Sequence, residues 1–174
     1  MNGIVRTFEG IRDFFEAGGD VLWIVLFITI LMWTFIIERL WYYRAIHPGR
    51  IEKTIRDWQS REDQESWFAK RIREQMISEV SIEAHRFVIL IKTLIAVLPL
   101  VGLLGTVTGM IQVFDVMAVM GTGNAREMAG GVSAATLPTM AGMVAALSGL
   151  YFGTFLDRKA KIEVEKVEDE LRHY

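Results

Sequence analysis

Cysteine is absent from the 174 residues, and proline and histidine occur three times each. Without a thiol there is no disulfide, no thiolate nucleophile and no cysteine metal site in any compartment. The histidines, His47, His85 and His173, lie far apart and match no ligand or triad spacing, so zinc and serine-hydrolase chemistry have no starting point. The length suits one or two modest domains and excludes a large multidomain enzyme. Charge is scarce in a more telling way. It makes up 23% of the chain, yet whole stretches carry none.

Val21 to Ile37 runs seventeen residues without a charge, Thr93 to Phe114 twenty-two, and Ala129 to Leu156 twenty-eight. About 20 helical residues cross a hydrocarbon core of ~30 Å. Helix is the open choice, because backbone polar groups in lipid must be satisfied within the segment. The fold class expected is therefore all-α, an integral membrane protein with three transmembrane helices. Glu9, Asp13, Glu16 and Asp20 precede the first run and no small-residue cleavage site follows it, so it reads as an uncleaved span rather than a signal peptide.

Lysine and arginine set the orientation. Eleven lie between Arg39 and Lys92, five after Leu156, two before the first span, and Arg126 alone between the second and third. Positive residues stay on the cytoplasmic side, which predicts an outer N-terminus and an inner C-terminus. The expected order is an outer interfacial helix over 1–19, a first span over 20–43, an inner helical segment over 44–86, a second span with extensions over 87–120, a short outer turn over 121–128, a third span over 129–157 and an inner C-terminal helix over 158–174. Nothing in the charge pattern suggests a nucleic-acid partner.

Outside the spans the periodicity is helical as well. Ile4, Phe8, Ile11 and Phe15 share one face of the N-terminal segment, and Gly18 and Gly19 mark a turn into the first span. Pro48 and Gly49 are expected to break the chain before a charged helix with Ile51, Ile55 and Trp58 on one face. A further helix opens near Ser66 with Phe68, Ile72, Met76 and Val80 aligned. In the tail, Ala160, Val164, Val167 and Leu171 form a short heptad seam between charged flanks. These segments read either as helices packed on one another or as a solvated charged hairpin with an amphipathic tail.

Small and hydroxylated residues distinguish the second and third spans. Gly102, Gly105 and Gly109, and then Gly142, Gly149 and Gly153 with Ala145 and Ala146, have the spacing that lets membrane helices approach closely. Ser133, Thr136 and Thr139 recur every three positions beside Pro138, and Thr106 and Thr108 sit mid-span. Such hydroxyls either bond their own backbone one turn back or line a polar path. Neither span has an acidic or basic group at its centre, so a proton crossing here needs an acid from a partner. No nucleophile, base or metal set converges. The chain thus reads as a non-enzyme without metal or cofactor.

The stretch LPLVGLLGTVTGMIQVF, Leu98 to Phe114, resembles the second-span signature of the ExbB, TolQ and MotA superfamily of ion-driven motor subunits. GGVSAATLPTMAGMVAALSGLYFGTFLDR, Gly130 to Arg158, is similar to the matching span of the ExbB and TolQ branch, as is ERL at Glu38 to Leu40. The resemblance implies a homopentameric ring in a bacterial inner membrane, with its N-terminus periplasmic and its C-terminus cytoplasmic. The pore would be lined by Thr106 and Thr139, with Ser133 and Thr136 nearby, and would hold an ExbD-like one-span partner whose aspartate carries the proton. It also implies that the proton motive force is passed to a TonB-like protein for uptake of iron chelates or vitamin B12. Many ExbB relatives carry a glutamate where this chain has Ala134, which points to a short variant of the TonB-type system. The alternatives are a TolQ-type subunit of the envelope-maintaining Tol-Pal system and a structural membrane scaffold. A MotA-type stator would require a fourth span.

Overall fold

The computed structural model describes residues 2–45, 47–64, 66–120 and 125–171, with side chains described from residue 9 onward and not at 47, 48, 120 or 125–127. The described chain is helical, with no strand among those residues: α1 spans Asn2–Ala45, α2 His47–Gln59, α3 Trp67–His85, α4 Val88–Met120 and α5 Ala125–Glu170. Three segments, in α1, in α4 and in α5, are long and apolar enough to cross a membrane. Only 22% to 28% of the most apolar 18 residues in each is buried within the chain. Most of that apolar surface is left for lipid or for other chains, which fits a multi-pass membrane protein.

The residues gather into two compact units. The first comprises 1–32 and 93–150, the second 33–92 and 151–174. In the first unit α1, α4 and α5 bury Leu22, Val25, Met32, Ile95, Leu98, Ala135 and Ala146. Its α1 is interrupted at Gly19, whose φ of 64° and ψ of −165° suit a residue without a Cβ. Next to that kink Phe15 packs on Trp23, with ring centroids 4.7 Å apart. Ile11, placed on the same face by its spacing, is exposed. Ile4 and Phe8, and residues 121–124 of the turn expected between the second and third spans, lie outside the side chains or residues described.

The second unit is a helical assembly around Trp58, Ala69, Val167 and Leu171, flanked by Ile51, Met76, Ile77 and Val80. Ser66 caps α3 by accepting from the Ala69 amide at 3.1 Å, which satisfies one of the orphan donors of the first turn. Asp63 in turn accepts from the Ser66 amide at 3.0 Å. Pro48 and Gly49 do not break the chain but lie in the first turn of α2, where proline sacrifices no helical hydrogen bond. Phe68 leaves the aligned face and is 71% exposed, while Ala69 takes its place in the core. Of the tail seam, Ala160, Val167 and Leu171 are buried and Val164 is half-buried.

Helix ends in this unit are closed by side chains from elsewhere in it. Arg39, 1% exposed, donates through Nη2 to the Glu83 carbonyl at 3.0 Å, and Tyr43 donates to the Ala84 carbonyl at 2.6 Å. Both acceptors belong to the last turn of α3, whose carbonyls have no partner within the helix, and the guanidinium also meets the negative end of the helix dipole. Arg73 closes α5 in the same way, through the Glu168 carbonyl at 3.3 Å. The Glu83 carboxylate takes the Tyr42 hydroxyl at 3.2 Å and pairs with Arg50. Beyond this cap Phe87 adopts a φ of 64°, a left-handed conformation that costs a side-chain-bearing residue about 1 to 2 kcal/mol. Its ring stacks on Phe35 at 5.1 Å and lies 5.5 Å below the Arg39 guanidinium. These contacts offset the backbone cost. Lys92 and Lys161 both pair with Asp157, at 2.9 and 3.4 Å, fixing the start of α4 to α5.

Candidate functional site, a hydroxyl pair at a helix crossing

α4 and α5 approach each other in the first unit along a seam of small residues. A Cβ built on Gly102 would lie 2.8 Å from the Pro138 carbonyl oxygen and 3.0 Å from the Thr139 Cα. One on Gly105 would meet the Pro138 ring at 2.5 Å, one on Gly109 the Ala135 Cβ at 2.6 Å, and one on Gly142 the Leu98 carbonyl oxygen at 2.6 Å. Real Cβ atoms do not come this close, so each glycine marks a place where one backbone rests on the other helix. Gly149 does the same against the side chain of Met32 on α1, and Gly153 is buried in the second unit. These contacts are made within one chain, those of Gly102, Gly105, Gly109 and Gly142 between α4 and α5 and that of Gly149 between α5 and α1.

Close approach of the backbones brings the two mid-span hydroxyls together. Thr106 on α4 and Thr139 on α5 are hydrogen-bonded through their Oγ1 atoms, and Thr139 Oγ1 also donates to the Gly102 carbonyl at 2.9 Å. A hydroxyl has one proton to give. Thr139 spends its proton on Gly102, so Thr106 is the donor in the shared bond. Both residues are half-buried. The sequence places Ser133 and Thr136 with this pair, and the structure does not: Thr136 donates to the Ser133 carbonyl at 2.7 Å, and both side chains are exposed. Thr108 likewise bonds its own helix, at the Leu104 and Gly105 carbonyls. Helical threonines often back-bond in this way, and Thr106 and Thr139 depart from it because the other helix is near enough to compete.

Beside the crossing the first unit has a half-open cavity of about 580 Å³, lined by the α1 kink at Gly18 to Val21, by Gly105, Thr108, Gly109 and Gln112 of α4, and by Gly131, Ala134, Ala135 and Pro138 of α5. Ala134 therefore borders open space, with Thr108 and Gln112 lining it from α4. A longer side chain at 134 has room and polar neighbours. Ala134→Glu is accordingly expected to leave the melting temperature of the purified protein within about 3 °C, the range of surface-like changes, and a fall of 10 °C or more in a thermal scan would contradict it.

A seam of glycines that joins two apolar helices around paired hydroxyls, in a chain with three segments long and apolar enough to cross a membrane, defines a tightly packed multi-pass membrane protein. The sequence profile of the MotA/TolQ/ExbB proton channel family matches residues 44–169, and the chain belongs to that family. It is 42% identical over 69 residues to biopolymer transport protein ExbB-like 3 of Synechocystis sp., covering 38% of this chain and 33% of that protein. It is 44% identical over 64 residues to ExbB-like 1 of the same organism, covering 35% of this chain and 25% of the relative. The matched stretches thus span a third or less of those relatives' lengths.

Proposed function

We propose that this chain is a non-enzymatic subunit of a proton-driven motor in a bacterial inner membrane, working as a homopentamer around a one-span ExbD-like partner. The observation that carries this reading is the Thr106 and Thr139 pair, two hydroxyls held together mid-span where neither helix has an ionisable group of its own. A polar element without a proton-binding site calls for an acid supplied by another chain. The partner's carboxylic acid fills that role, and its protonation and release couple ion flow to movement. The basic residues, eleven of which run from Arg39 to Lys92, support an N-terminus outside and a 44–86 segment inside. The relatives are named for biopolymer transport in ExbB-like terms, which favours delivery of the work to a TonB-like protein, for uptake of iron chelates or vitamin B12, over the Tol-Pal role.

The test is reconstitution. The chain is co-expressed with a one-span protein encoded beside it that carries an acidic residue in its span, and the purified complex is placed in vesicles under an imposed proton gradient. Proton flux above that of vesicles holding this chain alone is expected. Flux equal to the chain alone, from a complex shown intact by native mass spectrometry, would overturn the reading.

A further inference from the structure

The half-open cavity beside the crossing is large enough for a ligand. Its volume of about 580 Å³ falls within the roughly 300 to 1,000 Å³ of small-molecule sites. Val113, Val116 and Met117 of α4 and Ala135 and Pro138 of α5 give it apolar walls. Asp20 and Gln112 are exposed while Ala135 and Pro138 are buried, so charge stands at the open side and small apolar groups form the floor. The break at Gly19 brings Asp20 to the cavity, one residue before the uncharged run begins at Val21. Among the described residues that line it, Asp20 is the one ionisable group, and none is basic. Thr108 gives its proton to the Leu104 and Gly105 carbonyls, at 3.1 Å each, so toward a ligand its oxygen only accepts. Of the lining side chains Gln112 alone has a proton to offer. An anion finds no countercharge here, whereas a cation that donates hydrogen bonds finds acceptors. A metal ion is poorly served by a single carboxylate, and no cluster of three metal-ligating side chains forms among the described residues.

We propose that this cavity binds a compact organic ammonium ion, an apolar body of drug size that carries one protonated amine. The amine sits on the Asp20 carboxylate within reach of Thr108, and the body rests against Val113, Ala135 and Pro138. The apolar walls lower the local dielectric and strengthen the attraction between the two charges. The volume seats one compact body and falls short of the two acyl chains of a phospholipid. Ala134 keeps the space open, because its methyl group is the whole of its side chain. A ligand so placed touches α1, α4 and α5 together. The site is independent of the proton-path reading, since it uses neither Thr106 nor Thr139 and needs no partner chain.

The absence of cysteine makes the test direct, because Ala134→Cys puts a single thiol on the cavity wall. The full chain, in the oligomeric state in which it purifies, is placed in phosphatidylglycerol nanodiscs, and mass spectrometry follows the thiol's reaction with methyl methanethiosulfonate. Phenylbutylamine, phenylbutanol and phenylbutyrate serve as probes of one shape and three charges. The amine is expected to halve the reaction rate at a concentration about tenfold or more below that needed of the alcohol, the advantage of a charge-assisted hydrogen bond. The carboxylate probe is expected to give no protection. Asp20→Asn, combined with Ala134→Cys, should erase the difference between amine and alcohol. Ser60→Cys, exposed in the second unit, should react at one rate with and without the amine. Equal protection by amine and alcohol, an advantage that survives Asp20→Asn, or equal slowing at position 60 would each overturn the proposal. So would a thiol at 134 that no probe protects, or one that does not react at all, which would mean that the cavity is filled or closed. Protection in phosphatidylethanolamine nanodiscs without added amine would assign the carboxylate to a lipid headgroup and remove the compact ligand.

Discussion

Gly142→Leu is expected to prevent recovery of a folded, monodisperse protein. The first atom of any side chain at 142 would lie 2.6 Å from the Leu98 carbonyl oxygen and 3.3 Å from the Gly102 Cα. Neither atom is the end of a flexible side chain, so relief requires α4 and α5 to separate. Separation would also break the Thr139 bond to Gly102. Overpacking a tight site costs about 1 to 3 kcal/mol and more where the backbone must move. Even Gly142→Ala is expected to lower stability by about 2 kcal/mol or more on that basis. Gly130→Ala is the matched control: it lies on the same helix with nothing within 4 Å of the added atom, and alanine's helix propensity favours it by up to about 1 kcal/mol. Thermal unfolding of the two alanine variants in detergent decides the matter, and equal melting temperatures would refute the crossing geometry.

Arg39→Ala is expected to destabilise the second unit by about 3 to 5 kcal/mol, the range for a large buried side chain removed together with its polar contact. The truncation deletes the donor to the Glu83 carbonyl, the guanidinium over Tyr42 at 4.7 Å, and the volume of a side chain that is almost wholly buried. Arg39→Met restores the volume and spares the desolvation of a charge, so its remaining deficit isolates the cap on α3. Glu83→Gln acts on a different part of the same junction. It keeps the backbone carbonyl that Arg39 needs and weakens the side-chain contacts of Glu83 alone, with the Tyr42 hydroxyl and with Arg50, the latter a pair whose side chains are 58% and 42% exposed. Such a pair is worth about 0 to 1 kcal/mol. Unfolding followed by far-ultraviolet circular dichroism should rank Arg39→Ala far below Glu83→Gln, and similar midpoints would mean that Arg39 is not the cap.

The features readable in the sequence are those with a one-dimensional signature. Three uncharged runs gave three apolar helices, Ser66 gave an N-cap, and the paired glycines at 18 and 19 gave the kink. Where several physical terms compete, the sequence was a poorer guide. Pro48 reads as a breaker in isolation, but at the first turn of a helix its missing amide is no loss. Phe68 belongs to the apolar face by spacing, yet Ala69 is what fits between packed helices. Arg39 appears in the sequence as one member of the ERL motif, and nothing in its neighbours announces that it will be buried against a carbonyl 44 residues away. The signal available was a basic residue just past an uncharged run and followed by Leu40, Trp41, Tyr42 and Tyr43, which leaves it nowhere polar to go but another helix end. Among the hydroxyls, spacing grouped Ser133 and Thr136 with Thr139. Only the crossing at Gly102 separates the residue that reaches the other helix from those that bond their own.

The core around Trp58 is completed by residues that lie far along the chain from it. Val167 follows Trp58 by 109 positions, and the intervening chain includes the whole of 93–150, which belongs to the other unit. At about 5 to 20 residues per second, ribosomal synthesis takes roughly 5 to 20 s to cover that distance. Throughout that interval α2 and α3 exist without the strip of α5 that will cover Trp58 and Ala69. For those seconds Trp58 and Ala69 lack the cover that α5 later provides.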